Sequence, residues 1–223
     1  MTTQGQSKEK KIATRLRRRF KKKAEFLRIS TGSTDRTTTL LKAIDILSIS
    51  RIPHLVFGGY AVQERGYPRF TVDVDLIVPD VMEARDILVQ NGFRKNRRFK
   101  TTPSPKLTVT DRETDVAVDL FPGGRKVVPE APLPLPMPKT VTKRPKILAL
   151  PELISSKLSG FVAGGGCMRS HDLADAVELM KSSEPPRNFQ VAPEVQKIYS
   201  KLWKGLFKDN DEHIDWKDLA CLR

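Results

Sequence analysis

The sequence predicts an α+β fold, a strand-containing core with helices followed by a small helical region. Two observations carry this. Short β-rich runs, at residues 54–57, 70–78, 106–110 and 115–121, are confined to the first part of the chain. Beyond a stretch with seven prolines in 24 residues, 122–145, only segments of helical period follow. The same division sets the expected domains: a basic, disordered arm at 1–33, an α/β core at 34–146 and a C-terminal helical region at 147–223.

In chain order, residues 34–50 are predicted as an amphipathic helix, because Leu40, Ile44 and Leu47 recur at helical spacing beside Leu41. Pro53 ends it. The apolar run 54–57 reads as a buried strand that Gly58-Gly59 turns into a helix from Tyr60 to about Arg65. Residues 70–78 alternate, with Phe70, Val72, Val74, Leu76 and Val78 on a core face and Thr71, Asp73, Asp75 and Ile77 on the other. Asp80 followed by Glu83 marks a helix start, and Asn91-Gly92 its end. Residues 106–110 and 115–121 form an expected hairpin around Asp111-Arg112-Glu113. The prolines of 122–145 predict an extended loop or edge strand leading to the next unit. Helices are then expected at 151–162, 170–180 and 193–207, with Gly164-Gly165-Gly166 as a joint and Val195, Ile198, Leu202 and Leu206 as a stripe on the last.

Composition narrows the setting. A chain of 223 residues buries a substantial core without staples, and its two cysteines, Cys167 and Cys221, are expected as thiols in a reducing compartment. No run is long and apolar enough for a membrane span, and the basic N-terminus lacks the apolar block of a secretory signal, so a cytoplasmic protein is expected. A mitochondrial transit peptide at 14–28 fits the basic composition and is opposed by the shortage of Ser. The formal charge is +14, and residues 8–28 alone hold 11 Lys/Arg against 2 Glu. Such an arm attracts polyanions by counterion release, which favours a nucleic acid over an anionic membrane; a solvated tail is the alternative. Arg94, Lys95, Arg97, Arg98 and Lys100 form a second basic cluster near Phe93 and Phe99. It reads either as a phosphate-tracking surface with an aromatic stacking on a base, or as a solvated loop.

Three carboxylates carry the chemistry. Asp73 and Asp75 project from one face of a strand whose other face is apolar, the geometry that brings two oxygens to a hard cation. Asp119 lies on a second alternating strand, and three inward carboxylates suit a pair of divalent ions. Asp115 shares its parity and competes for the third place. The diglycine precedes the pair by 13 residues and can expose backbone N–H groups to an anion. Lys157 falls on the stripe of Leu153, Ile154, Leu158 and Phe161. A buried ammonium needs an anion, here a triphosphate or Asp175, unless its head reaches water. Asp172 and Asp175 share a helix face, where capping or salt bridging competes with a nucleotide role.

Gly58-Gly59-Tyr60-Ala61-Val62, followed by Arg69-Phe70-Thr71-Val72-Asp73-Val74-Asp75, resembles the core motif of the DNA polymerase β-like nucleotidyltransferase superfamily, in particular its minimal members and the AbiEii/AbiGii-type toxins. Residues 150–158, a Leu-rich turn with an inward Lys157, and residues 169–175, with Asp172 and Asp175, extend the resemblance over roughly 53–180. His171 stands where the family is usually basic, and three glycines lengthen the joint. The resemblance implies a mixed sheet flanked by helices. It implies that Asp73, Asp75 and Asp119 hold Mg²⁺ or Mn²⁺, with Asp119 completing the metal site or acting as base. It also assigns Lys157 to the catalytic set, and Gly58, Gly59, Arg69, Thr71, Asp172 and Asp175 to the nucleotide. The expected activity is transfer of an NMP from NTP to an acceptor hydroxyl. RNA, tRNA above all, is the expected acceptor, engaged through the arm at 8–28 and the cluster at 94–100, and the toxin-like resemblance adds an antitoxin protein as a possible partner. Transfer to a small molecule such as an aminoglycoside or to a protein, and a catalytically inactive nucleic-acid-binding protein, are the alternatives.

Overall fold

The computed structural model describes residues 35–67, 71–96, 105–165 and 169–208. The basic arm, Arg69, Phe70, residues 97–100, both cysteines and Trp216 lie outside them. Helix α1 (Asp35–Ile49) is followed by β1 (Leu55–Phe57), α2 (Gly58–Glu64), β2 (Asp73–Val78), α3 (Val81–Gln90), β3 (Phe93–Lys95), β4 (Leu107–Asp111) and β5 (Ala117–Pro122). Helices α4 (Leu150–Ala163), α5 (Ser170–Ser183) and α6 (Pro193–Phe207) complete the order. This is the expected α+β architecture. None of the described helices is long and apolar enough to cross a membrane.

The strands form one mixed sheet in the order β1-β2-β5-β4-β3. β2 runs parallel to β5, and the other neighbours are antiparallel. The two strands of the central pair send apolar side chains into a core on each side of the sheet. Val74, Leu76, Val118 and Leu120 look toward α1 and α3, where Leu40, Ile44, Leu47 and Leu88 join them in one core. Ile77 and Phe121 look the other way, onto Phe57 and the apolar stripes of α4, α5 and α6. Each such side chain, fully buried, contributes about 1.5–3 kcal/mol relative to exposure. This second core includes residues on both sides of the proline-rich stretch.

That stretch opens in turns and bends over 123–130 and then runs on without helix or strand, as its prolines require. Its end lies along β1: Val56 N–H donates to Lys146 O at 2.8 Å and Leu148 N–H to Val56 O at 2.9 Å. Further back, Ala131 and Leu135 are buried, and Leu133 N–H donates to Ser159 Oγ on α4. Ser155 Oγ, one turn earlier on α4, accepts from Ala192 N–H ahead of α6.

Several expectations are corrected. Residue 72 precedes β2 and its valine is 64% exposed, so the core face of that strand begins at Val74. The helix after the diglycine begins at Gly58 itself. Phe93 is fully buried at the head of a short strand, which removes it as a base-stacking ring, and the neighbouring Arg94 pairs with Asp115. Helix α1 buries more than a stripe: Lys42 is covered, its ammonium 2.5 Å from Asp111 Oδ1 and over the ring of Phe93. Asp111, which the sequence places in a turn, is the buried last residue of β4. The capping expectation at α3 holds, with Asp80 accepting from the N–H groups of Met82 and Glu83.

Candidate active site

The strand register decides which acids meet. Asp75 lies opposite Asp119 in the parallel β2–β5 pair, and Asp73, two residues earlier, shares their side of the sheet. One carboxylate oxygen from each of Asp73, Asp75 and Asp119 lies within 4.8 Å of the others. Asp115 does not join them. It precedes β5 with a positive φ of 60° in the turn, is turned to solvent, and pairs with Arg94. Alternation alone left it level with Asp119, because sequence parity is blind to where a strand begins.

Each acid is aimed by a neighbour. Thr71, buried, donates from Oγ1 to Asp73 Oδ1 at 3.0 Å. Thr108 on β4 donates to Asp119 Oδ1 at 2.5 Å, and Lys106, one residue ahead of β4, donates to Asp119 Oδ2. Asp75 is packed beneath the β1–α2 turn. Gly58 there has φ +65°, and a Cβ at this position would fall 1.9 Å from Asp75 Oδ2, so the turn accepts only glycine. Burial, then the charges of Asp73 and Asp119, push Asp75 up to about 7. Three close carboxylates form an all-oxygen donor set of the kind that fits a hard divalent cation, whose charge would offset both the burial and the repulsion that raise Asp75.

These acids stand in a cleft of about 880 Å³. Gly58 and Gly59 line it beside them, and residues from the proline-rich stretch, among them Val128, Leu133 and Met137, supply an apolar wall. The remaining wall comes from α4, the start of α5 and the segment 190–194 that leads into α6. Lys157 is buried there, 3.0 Å from Asp172 Oδ1 and 2.8 Å from Asp175 Oδ2. Burial lowers the affinity of its amine for a proton, but the two acids outweigh that and hold it above its ordinary value. Its head does not snorkel to water. Arg169 and His171 reach the same Asp172, each at 3.7 Å, and both line the cleft. Gly160 makes room for this, since a Cβ there would meet Asp172 Oδ2 at 2.6 Å.

Of the residues singled out from sequence, Asp73, Asp75, Asp119, Lys157, Gly58, Gly59, Thr71 and Asp172 all line this cleft, whereas Asp175 grips Lys157 without lining it. Arg69 lies outside the described residues. Lys106 and Thr108 were missed: a lone lysine ahead of a strand has no motif, and their one signal was a spacing of two that places both beside the acid strand.

No protein-family model matches the chain and no curated protein matches it by sequence. Solved structures do. An antigenic nucleotidyltransferase-like protein from Paracoccidioides brasiliensis is 18% identical with a TM-score of 0.50, covering 78% of this chain and 90% of its own. The antibiotic-resistance factor ANT(2'')-Ia is 16% identical with a TM-score of 0.39, covering 85% and 91% respectively.

Proposed function

We propose that this chain, which has the nucleotidyltransferase-superfamily fold, is a metal-dependent enzyme that moves an NMP from NTP to an acceptor hydroxyl. In that reaction the acceptor oxygen bonds to the α-phosphorus and the α–β phosphoanhydride bond breaks. Pyrophosphate leaves with the electron pair, and the hydroxyl proton passes to a carboxylate of the trio. The observation that carries the reading is the convergence of Asp73, Asp75 and Asp119 at the foot of the Gly58 turn.

The trio would hold Mg²⁺ or Mn²⁺, which when bound supplies Lewis-acid charge for the phosphoryl oxygens and the attacking hydroxyl. The protein's own groups do the positioning. Thr71 and Thr108 aim two of the three acids, and Gly58 lets the turn close on the third. Gly58 and Gly59 line the cleft at the start of α2, and their backbone N–H groups would meet a triphosphate's oxygens there. Lys157 offers the cleft a fixed positive charge, Asp172 sets it in place from the cleft wall, and Asp175 does so from behind.

RNA is the acceptor we favour, and the support for it is the cationic arm at 8–28. Incubation with total RNA and each labelled NTP tests activity, nucleotide and acceptor together. The wild type is expected to label RNA in Mg²⁺, and Asp73→Ala to lose the labelling while keeping its circular dichroism. Equal labelling by the variant refutes the reading.

A further inference from the structure

We infer that Lys106 is the resident counter-cation of the carboxylate trio and competes with the divalent ion for Asp119. The inference rests on the reading of the trio as a metal site and adds a residue that controls how readily the ion enters.

Both oxygens of Asp119 are engaged in this structure, Oδ1 by Thr108 and Oδ2 by Lys106. The threonine is a neutral donor and can turn its hydroxyl. The ammonium carries a charge, and it sits on one of the three carboxylates whose oxygens converge. A divalent ion sharing those oxygens would stand within a few ångströms of it, where like charges repel strongly inside a protein wall. Ammonium and ion therefore cannot both be held there at full strength. Lys157 also acts on Asp75 through its charge, but it is not an equivalent competitor, because its ammonium is fixed on Asp172 and Asp175 and these two acids lie outside the trio.

Lys106 is also built to leave. Its side chain is 37% exposed and lines the open cleft, while its backbone precedes β4. Its flexible stem lets the head swing into the cleft while the main chain stays put. The ring of Phe121 lies 5.6 Å from the ammonium, a contact that an unbranched apolar side chain preserves. Displacement frees a cation beside the very site where an anionic substrate would arrive with the metal.

The test is Mn²⁺ binding by the full chain, followed through the paramagnetic resonance of the free ion, for wild type, Lys106→Met and Asp119→Asn. Lys106→Met is expected to bind roughly tenfold more tightly than wild type, the scale on which one close charge shifts a carboxylate equilibrium, and Asp119→Asn to lose most of the affinity. Equal or weaker binding by Lys106→Met, with Asp119→Asn impaired, overturns the competition while leaving the metal site intact. No binding by either wild type or Lys106→Met removes the metal site and the competition with it. A second measurement needs no variant: peptide-resolved acetylation of wild-type lysines, where Lys106 is expected to react several-fold faster in Mg²⁺ than in chelator. An unchanged rate under conditions where Mn²⁺ binds overturns the inference.

Discussion

At the scale of single residues, Gly58 makes the strictest demand. A side chain there meets both a left-handed backbone and the carboxylate of Asp75. Gly58→Ala is expected to lower stability by about 2 kcal/mol or more, read from urea unfolding, and to abolish transfer even where the variant is folded. Asp75 gives a second expectation, through pH. Its pKa rises from 3.8 unfolded to about 7 folded without metal. The favourable contribution of the protonated acid is therefore complete below the unfolded value and is lost as pH climbs through about 7. In chelator, stability should fall between about pH 4 and about pH 7, whereas Asp75→Asn should flatten that slope. Mg²⁺ should reverse it, because the ion binds the form that burial penalises. A slope of the opposite sign in denaturation curves contradicts the assignment. That Asp73 and Asp75 share one strand face was readable from alternation, since period-two spacing is a property of any strand. The choice of Asp119 over Asp115 was not, because the αL turn residue before β5 leaves no mark on hydrophobic pattern.

Among elements, the α4–α5 pair clamps one cation between two acids. Lys157 is buried with Asp172 and Asp175, so its removal strands two negative charges. Lys157→Met is expected to cost about 3–5 kcal/mol. Combining it with Asp172→Asn and Asp175→Asn should recover much of that loss in unfolding measurements, and a triple variant no more stable than the single would show that packing, and not charge, is responsible. The helices themselves were legible because their stripes repeat at helical spacing, with α6 matching residue for residue. Strand β3 was not. Arg94 and Lys95 conceal the burial of Phe93, whose place is secured by α1 through Lys42, far away in sequence. Long-range ion pairs such as Lys42–Asp111 have no local signature, which is also why Lys106 escaped notice.

Across the whole molecule, the sheet holds its acids on the side facing the cleft, and the helical region closes the cleft from the opposite wall through a core shared with Ile77 and Phe121. The proline-rich stretch joins the two and lines the space between them. The basic arm adds a charge that no part of this cleft requires. Its deletion, residues 1–28, should weaken RNA binding sharply at low salt and reduce the dependence of affinity on salt, while leaving metal binding unaltered. Indifference of RNA transfer to that deletion would favour a small-molecule or protein acceptor.

One bound ion shared by all three carboxylates is the centre of the proposed chemistry. Crystals grown with Mn²⁺ and a non-hydrolysable NTP measure this directly through anomalous scattering. The expected result is a peak within coordination distance of Asp73, Asp75 and Asp119, contacting the nucleotide's phosphates beside Gly58. Nucleotide bound in the cleft with no peak at these carboxylates, or with the manganese held elsewhere, would contradict it.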